Sequence, residues 1–558
     1  MKKKVVMGIV IALGTTLFLL FLGFVWFMTG EPVIRVNYVK KLNELVRPAG
    51  ATDDQNAWND YERAMQLYAY PDDIVSDVIG SVKWEDESHY RFSKLAPEDQ
   101  EKIQRWVVQN KGEYEKLIKQ DETTFKVMIS DNDMMDTYRY SEYEILKTYL
   151  PGVLAYEEEH DRLYLMGWRI SEKIIKEDFP EKWHRGLSAV ILDKWIKRCQ
   201  VEEKYITNWL KQNEETWQSV LAGNKKPYCW YSYDESKTMW EGMNRPGWCR
   251  TLGRLGIWRT IIEREESNYN RAIDECFEVI SIGKKIKNCN DPPLAQLNGI
   301  SILDMGYDQL FRILAYGTFS HNKLFEVQQR LEKVHADGYP LVKFESERLF
   351  FLDSVQLLFT DGGPGGGHMI PRQTEGVPAI YYNVDENIFT KTYYCFLHAG
   401  RNKTIAKANE MYDEFNKLVE YRPYQVKHGE VKKMKELPSK KYQLVYALFP
   451  NDSYIIYDYR SKSMYESLLL VLSLQRWELE QGIYPERLEE LREGGYLEEL
   501  PDDPYGPGVL AYERRGGDFI LYSWGEDFDD DGGVENPNSF WGRGEEGGDY
   551  VFWPIKNE

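Results

Sequence analysis

The chain has 558 residues and a formal charge of −20, from 90 Asp and Glu against 70 Lys and Arg, and it is 42% hydrophobic and 14% aromatic. So acidic a balance excludes the phosphate-neutralising surface that nucleic-acid binding requires, and it argues against adhesion of the body to anionic lipid. The apolar content over this length is enough for a large core and for two or more domains.

Lys2-Lys3-Lys4 precedes a run from Val5 to Met28 with no charged residue. At about 1.5 Å per residue such a run exceeds a hydrocarbon core of about 30 Å, so residues 1–30 read as one transmembrane helix. The exit Phe24-Val25-Trp26-Phe27-Met28 is bulky, unlike the small-residue exit of a cleaved signal peptide. Trp26 is placed as an interfacial anchor, and the lysines favour a cytoplasmic N-terminus with the body outside the cytoplasm.

Residues 31–360 read as a large, irregular helical domain. Apolar residues recur at helical spacing over 57–68, 97–118, 187–221, 256–286 and 294–315, the pattern of helices that bury one face. Pro97 with Glu98 and Asp99, and Asp291-Pro292-Pro293, read as helix starts. Twelve of the seventeen tryptophans fall between Trp58 and Trp258, and at helical spacing they read as core rather than as a sugar-stacking cleft. No fixed-period repeat is present. Of the six cysteines, Cys229 with Cys249 is the first candidate for a disulfide in an exported body, and Cys276 with Cys289 the second; buried free thiols are the alternative. Glu157-x-x-His160 and Glu181-x-x-His184 repeat the E-x-x-H spacing of di-iron bundles. They lie 24 residues apart with Pro180 between, which leaves no room for the intervening helix, so they read as solvated faces.

Residues 361–450 form a connecting segment. Asp361-Gly-Gly-Pro-Gly-Gly-Gly-His368 lacks the Lys-Ser/Thr of a phosphate loop and reads as a surface loop. Helix resumes over 404–419, and His368 and His398 have no partner that sequence identifies.

The last segment, 451–558, is the most informative. Met464, Leu468, Val471, Leu472 and Leu479 make an apolar stripe on a helix ending at Gln481. Gly482 is placed as a left-handed helix cap, and Pro485 cannot continue the helix. Val509–Tyr512, Phe519–Tyr522 and Tyr550–Trp553 read as strands, the first two joined through Arg514-Arg515-Gly516-Gly517. The order of small motifs is helix, Gly482-x-Tyr484-Pro485, Leu488-x-x-Leu491, Tyr496-Leu497, Leu500-Pro501-x-Asp503-Pro504-x-Gly506, then Phe519-x-x-Tyr522-Ser523-x-Gly525 and an acidic loop. This order resembles the C-terminal half of the major pseudopilin of type II secretion systems, over roughly ninety residues. The head of the chain departs from that family. Its leader is cut after a glycine, before Phe, with a Glu five residues on; Gly23-Phe24 has the first two letters, but Met28 stands at the Glu position.

Asp527, Asp529 and Asp531 alternate and are followed by Gly532, matching the first six positions of an EF-hand calcium loop. The twelfth position is Asn538, so a full EF-hand is absent. Nine acids against one base, Arg543, in segment 525–549 suit a metal site or a solvated loop equally. The resemblance adds structural calcium bound from both ends of the loop, by Asp527, Asp529 or Asp531 and by Asp549. No serine-hydrolase, zincin, phosphate-loop or C-x-x-C motif occurs. The expected protein is therefore mainly α: one N-terminal transmembrane helix, a large helical body and a small pseudopilin-like α+β tail. Its expected role is structural or interactive, with protein partners in the cell envelope and a link to secretion or pilus-like machinery. An extracytoplasmic hydrolase-like enzyme, with its site in the aromatic- and acid-rich helical body, is the alternative.

Overall fold

In a computed structural model the described residues are 2–70, 203–242, 248–289, 292–374, 388–429, 441–450, 453–535 and 548–555. They are mainly helical, with one small sheet near the C-terminus. The chain divides into two compact units, residues 1–66 with 215–556, and residues 67–214 with the last two. The expected helix over 97–118, the E-x-x-H pairs and residues 187–202 lie outside the described residues.

The apolar N-terminal run forms one helix, α1 (Lys2–Met28). Among the described residues no helix is long and apolar enough to cross a membrane, which corrects the expected transmembrane helix. At the far end of the run Trp26, Phe27 and Met28 are engaged by the body. The dock is made by the glycine segment. His368 stacks on Phe27 with ring centroids 4.6 Å apart and its Nε2 donates to the Phe27 carbonyl at 3.1 Å. Arg372 Nε donates to the Met28 carbonyl at 3.2 Å, so two of the carbonyls left open at the helix end are satisfied. Asp361 pairs with Arg35 at 2.5 Å and with Arg401 at 3.2 Å. Gly367 shows why glycine is needed here: its φ is +134° and a Cβ would lie 1.9 Å from the Thr360 carbonyl oxygen. The loop is a socket for α1.

Beyond the socket run α2 (Tyr38–Val46) and α3 (Trp58–Leu67). Asn37 caps α2 by accepting from Lys40 N at 2.8 Å. In the second unit, α4 (Glu203–Gln212) is tied to residue 69: Asn213 Oδ1 accepts from Ala69 N at 2.9 Å and Trp209 Nε1 donates to Ala69 O at 3.0 Å. The first unit continues with α5 (Glu214–Asn224), α6 (Cys249–Glu265), α7 (Tyr269–Lys287), α8 (Pro293–Tyr316), α9 (His321–Val334) and α10 (Glu345–Leu358). The stretch expected as one helix over 256–286 is two, broken where Ser267 takes φ +61°. Small residues let these helices approach: a Cβ on Gly283 would meet Leu303 N at 2.6 Å, and one on Gly299 would meet Lys287 N at 2.3 Å. Pro293 opens α8 in its first turn, as expected.

The five described cysteines are buried free thiols. This corrects both disulfides expected for an exported body. Cys276 and Cys289 instead turn their thiols to the Gly306 and Ile286 carbonyls, at 3.0 and 2.7 Å, each satisfied inside the helical core.

After α11 (Ile388–Leu397) and α12 (Arg401–Leu418) comes α13, Ser453–Gln481. The sheet is antiparallel in the order β1 (Ala511–Arg515), β2 (Asp518–Ser523), β3 (Tyr550–Trp553). Arg515 pairs with Asp518 across the Gly516-Gly517 turn, and Leu521 pairs with Trp553. One hydrophobic core runs through α7, α8 and α9, through α13 from Met464 to Leu474, and on to Phe519, Leu521, Phe552 and Trp553 in the sheet. α13 is therefore covered on several sides, and a stripe does not describe it. Ser463, Ser467 and Ser473 are buried within it and satisfy their hydroxyls on carbonyls four residues back. Leu479, counted in the expected stripe, is 50% exposed.

Candidate metal centre

The acidic loop begins where β2 ends, and Asp503 sets its starting point. Buried beneath the loop, Asp503 accepts from Tyr505 N at 2.9 Å, Ser523 Oγ at 2.6 Å and Trp524 N at 2.9 Å. Those donors favour the carboxylate, while burial pushes its pKa up. Gly525 (φ +76°) and Phe528 (φ +67°) then turn the chain, and Phe528 N donates to the Gly525 carbonyl at 3.2 Å. Gly532 and Gly533, both at positive φ, turn it back.

Two carboxylates close the loop from opposite ends. Asp527 Oδ2 accepts from Gly548 N at 2.7 Å, and Asp549 Oδ2 accepts from Gly533 N at 2.6 Å. Asp549 N donates to the Val534 carbonyl at 2.9 Å, and Glu535 bridges Gly548. Asp549 is 2% exposed, and its second oxygen, Oδ1, is buried without a hydrogen-bond partner. Burial pushes this carboxyl up to about 6, and Asp530 and Asp531 push the same way. Asp527 is also raised, by burial first and by Asp531 among its neighbours.

Of the four residues expected as ligands, the structure thus brings Asp527, Asp531 and Asp549 into one electrostatic neighbourhood. Asp529 is exposed, and its Oδ1 accepts from Asp530 N at 3.0 Å. Asp530, which the alternating pattern skips, is exposed as well, but its Oδ1 accepts from Tyr522 Oη at 3.0 Å and Gly532 N at 3.1 Å. Two adjacent acids in sequence gave no signal for choosing between them, because the choice depends on the left-handed turn at Phe528. Asp503 was visible only as a letter of the D-P-x-G motif, with no role attached.

Among the described residues no group of three or more His, Cys, Asp or Glu side chains is drawn close enough to grip a metal. The donors nonetheless suit a hard cation: oxygen atoms only, several negative charges, and a buried carboxylate oxygen, Asp549 Oδ1. Calcium here would offset the repulsion among the carboxylates and fix the loop ends, which is structural chemistry.

Three interior acids elsewhere among the described residues are held by ion pairs or hydrogen bonds. Asp458 holds Lys287 at 2.7 Å, both almost fully buried, and accepts from Val342 N. Asp304 lies 3.6 Å from Arg460. Asp353 accepts from Met239 N and Gln356 Nε2, each at 2.8 Å. A cavity between α13 and the sheet, lined by Ser463, Tyr505, Ser523, Glu526 and Tyr550 among others, has room for about one water molecule. No family model, no curated protein and no solved structure matches the chain.

Proposed function

We propose that the chain is a non-enzymatic structural or interaction protein of the cell envelope. In this reading α1 holds it at a lipid surface, its body lies outside the cytoplasm, and its tail is a pseudopilin-like lobe that takes up calcium in the acidic loop. The observation that carries the non-enzymatic part is the interior. One packed core joins helices and sheet, and its carboxylates pin loops and helices to one another. The order helix, left-handed Gly482, three antiparallel strands and acidic loop supports the pseudopilin likeness, and the partners it implies are components of secretion or pilus-like machinery. Asp527 and Asp549, helped by Asp530, Asp531 and loop carbonyls, would hold the ion.

The test is thermal unfolding of the whole protein with calcium, with a chelator, and with sodium at matched ionic strength. At calcium a hundredfold above its dissociation constant, binding to the folded state alone adds about 2.7 kcal/mol. Asp531→Ala should reduce that response. Equal stabilisation by sodium would leave a charged loop screened by any salt, and the calcium assignment would be lost.

A further inference from the structure

Large apolar side chains all along the described part of α1 are uncovered: Ile11, Leu13, Leu17, Phe18, Leu19, Phe21, Leu22, Phe24 and Trp26 are each at least 46% exposed. A helix that is apolar on all its faces needs an apolar surrounding. The body continues this surface at the socket. On α11, Tyr393, Phe396 and Leu397 are 56%, 72% and 36% exposed. Their spacing of three and four puts them on one face, while Cys395 turns inward. Phe396 is in ring contact with Phe27 at 6.1 Å, and Thr392 Oγ1 donates to Met28 Sδ at 3.4 Å. The α11 patch and the end of α1 are one surface.

Among the described residues, the charge around this surface is opposite to that of the chain. Arg372 donates to the end of α1, Arg35 and Arg401 flank Asp361, and Lys403 follows exposed on the first turn of α12. Lys441 is exposed and receives the Ala399 N–H on its carbonyl just past α11. Among the described residues, Glu31 and the doubly paired Asp361 stand against these basic groups. Tyr and Trp beside Lys and Arg, next to wholly apolar surface, is the composition that suits the headgroup layer of a bilayer.

We propose that the exposed face of α11, with the basic rim around it, lies against the headgroup layer of an anionic lipid surface and fixes the orientation of the body there. The proposal rests on the lipid attachment through α1 argued above. The socket makes it possible, because His368 and Arg372 hold the end of α1 to the body and leave no slack between helix and patch.

The experiment uses the full chain with vesicles of phosphatidylcholine, with and without phosphatidylglycerol. Phe396→Cys carries an environment-sensitive dye, Leu479→Cys is the distal control, and wild-type protein taken through the same labelling reports reaction at native thiols. Leu479 lies about 36 Å along α13 from Ile455, which packs in the same core as Cys395 of α11. Both substituted side chains are exposed, so both variants keep the fold. With brominated lipid, the dye at 396 should be quenched and the dye at 479 should not. Lys403→Gln with Lys441→Gln should lower affinity for the anionic vesicles by about fivefold for each charge removed. If the protein floats with vesicles but the dye at 396 keeps its emission, the α11 proposal is overturned and attachment through α1 stands. If the wild-type protein fails to float, both fall. Equal affinity of the wild-type protein and the double lysine variant for the anionic vesicles, with 396 quenched, would overturn the electrostatic part.

Discussion

Asp549 gives the most direct reading of the acidic loop. Its carboxyl sits at about 6 in the fold against an ordinary 3.8, so the folded state favours the protonated form. The sign follows. The contribution is fully present below pH 4 and is lost as pH rises through 6, where the buried carboxylate must ionise beside Asp530 and Asp531. A rise of this size corresponds to about 3 kcal/mol, and the open side of the loop reduces it to about 1–3 kcal/mol. Asp549→Asn keeps the shape and removes the titration. The measurement is amide-exchange protection of β2 and β3 in chelator between pH 4 and 7, after correction for intrinsic exchange rates. Wild-type stability should fall relative to Asp549→Asn by that amount, and calcium at pH 7 should restore it by taking the place of the proton. A wild-type-minus-variant difference that stays flat, or that rises with pH, would refute the account of a carboxylate whose charge is disfavoured by burial and by its acidic neighbours.

Lys287→Met leaves Asp458 buried without its cation and should cost about 3–5 kcal/mol by denaturant unfolding, while Lys287→Met with Asp458→Leu should recover most of the loss. Asp503→Ala strands the Ser523 hydroxyl and the amides of Tyr505 and Trp524, for a loss of about 3 kcal/mol or more and faster amide exchange at Trp524. Gly367→Ala should open the socket and expose residues 29–35 to limited proteolysis, because its Cβ has no space beside Thr360. Protein purified without reductant and then denatured should give free thiol at both Cys229 and Cys249 by mass mapping of alkylated peptides.

The parts legible in the sequence were local. The second and third strands of the tail, the left-handed cap at Gly482, the proline start of α8 and the helix over 404–419 each depend on chain neighbours; the first strand, expected over 509–512, runs instead over Ala511–Arg515, so Arg514 and Arg515 are strand and only Gly516-Gly517 turn. Non-local features escaped. His368 looked partnerless because its partners, Phe27 and the Phe27 carbonyl, lie 341 residues upstream. The apolar run reads as uniform in sequence, and only the fold separates its docked end from the rest. α9 and α10 went unread, since α9 buries only Leu324, Val327, Gln328 and Leu331 amid charged residues and α10 buries Ser346, Asp353, Ser354 and Gln356 beside its apolar residues. The net charge gave a mean over the chain, so it could not foretell the basic rim around α11.

That α13 serves the helices and the sheet at once has a mechanical consequence. A cut before Ser453 would not release a self-contained tail; it would strip α8 and α9 of the partner that dries their apolar side chains. Local melting of the sheet would likewise loosen α13, and with it the wall against which Phe311 meets Phe552 at 6.3 Å. An ion seated in the loop would therefore be felt tens of ångströms away as resistance of the helices to unfolding.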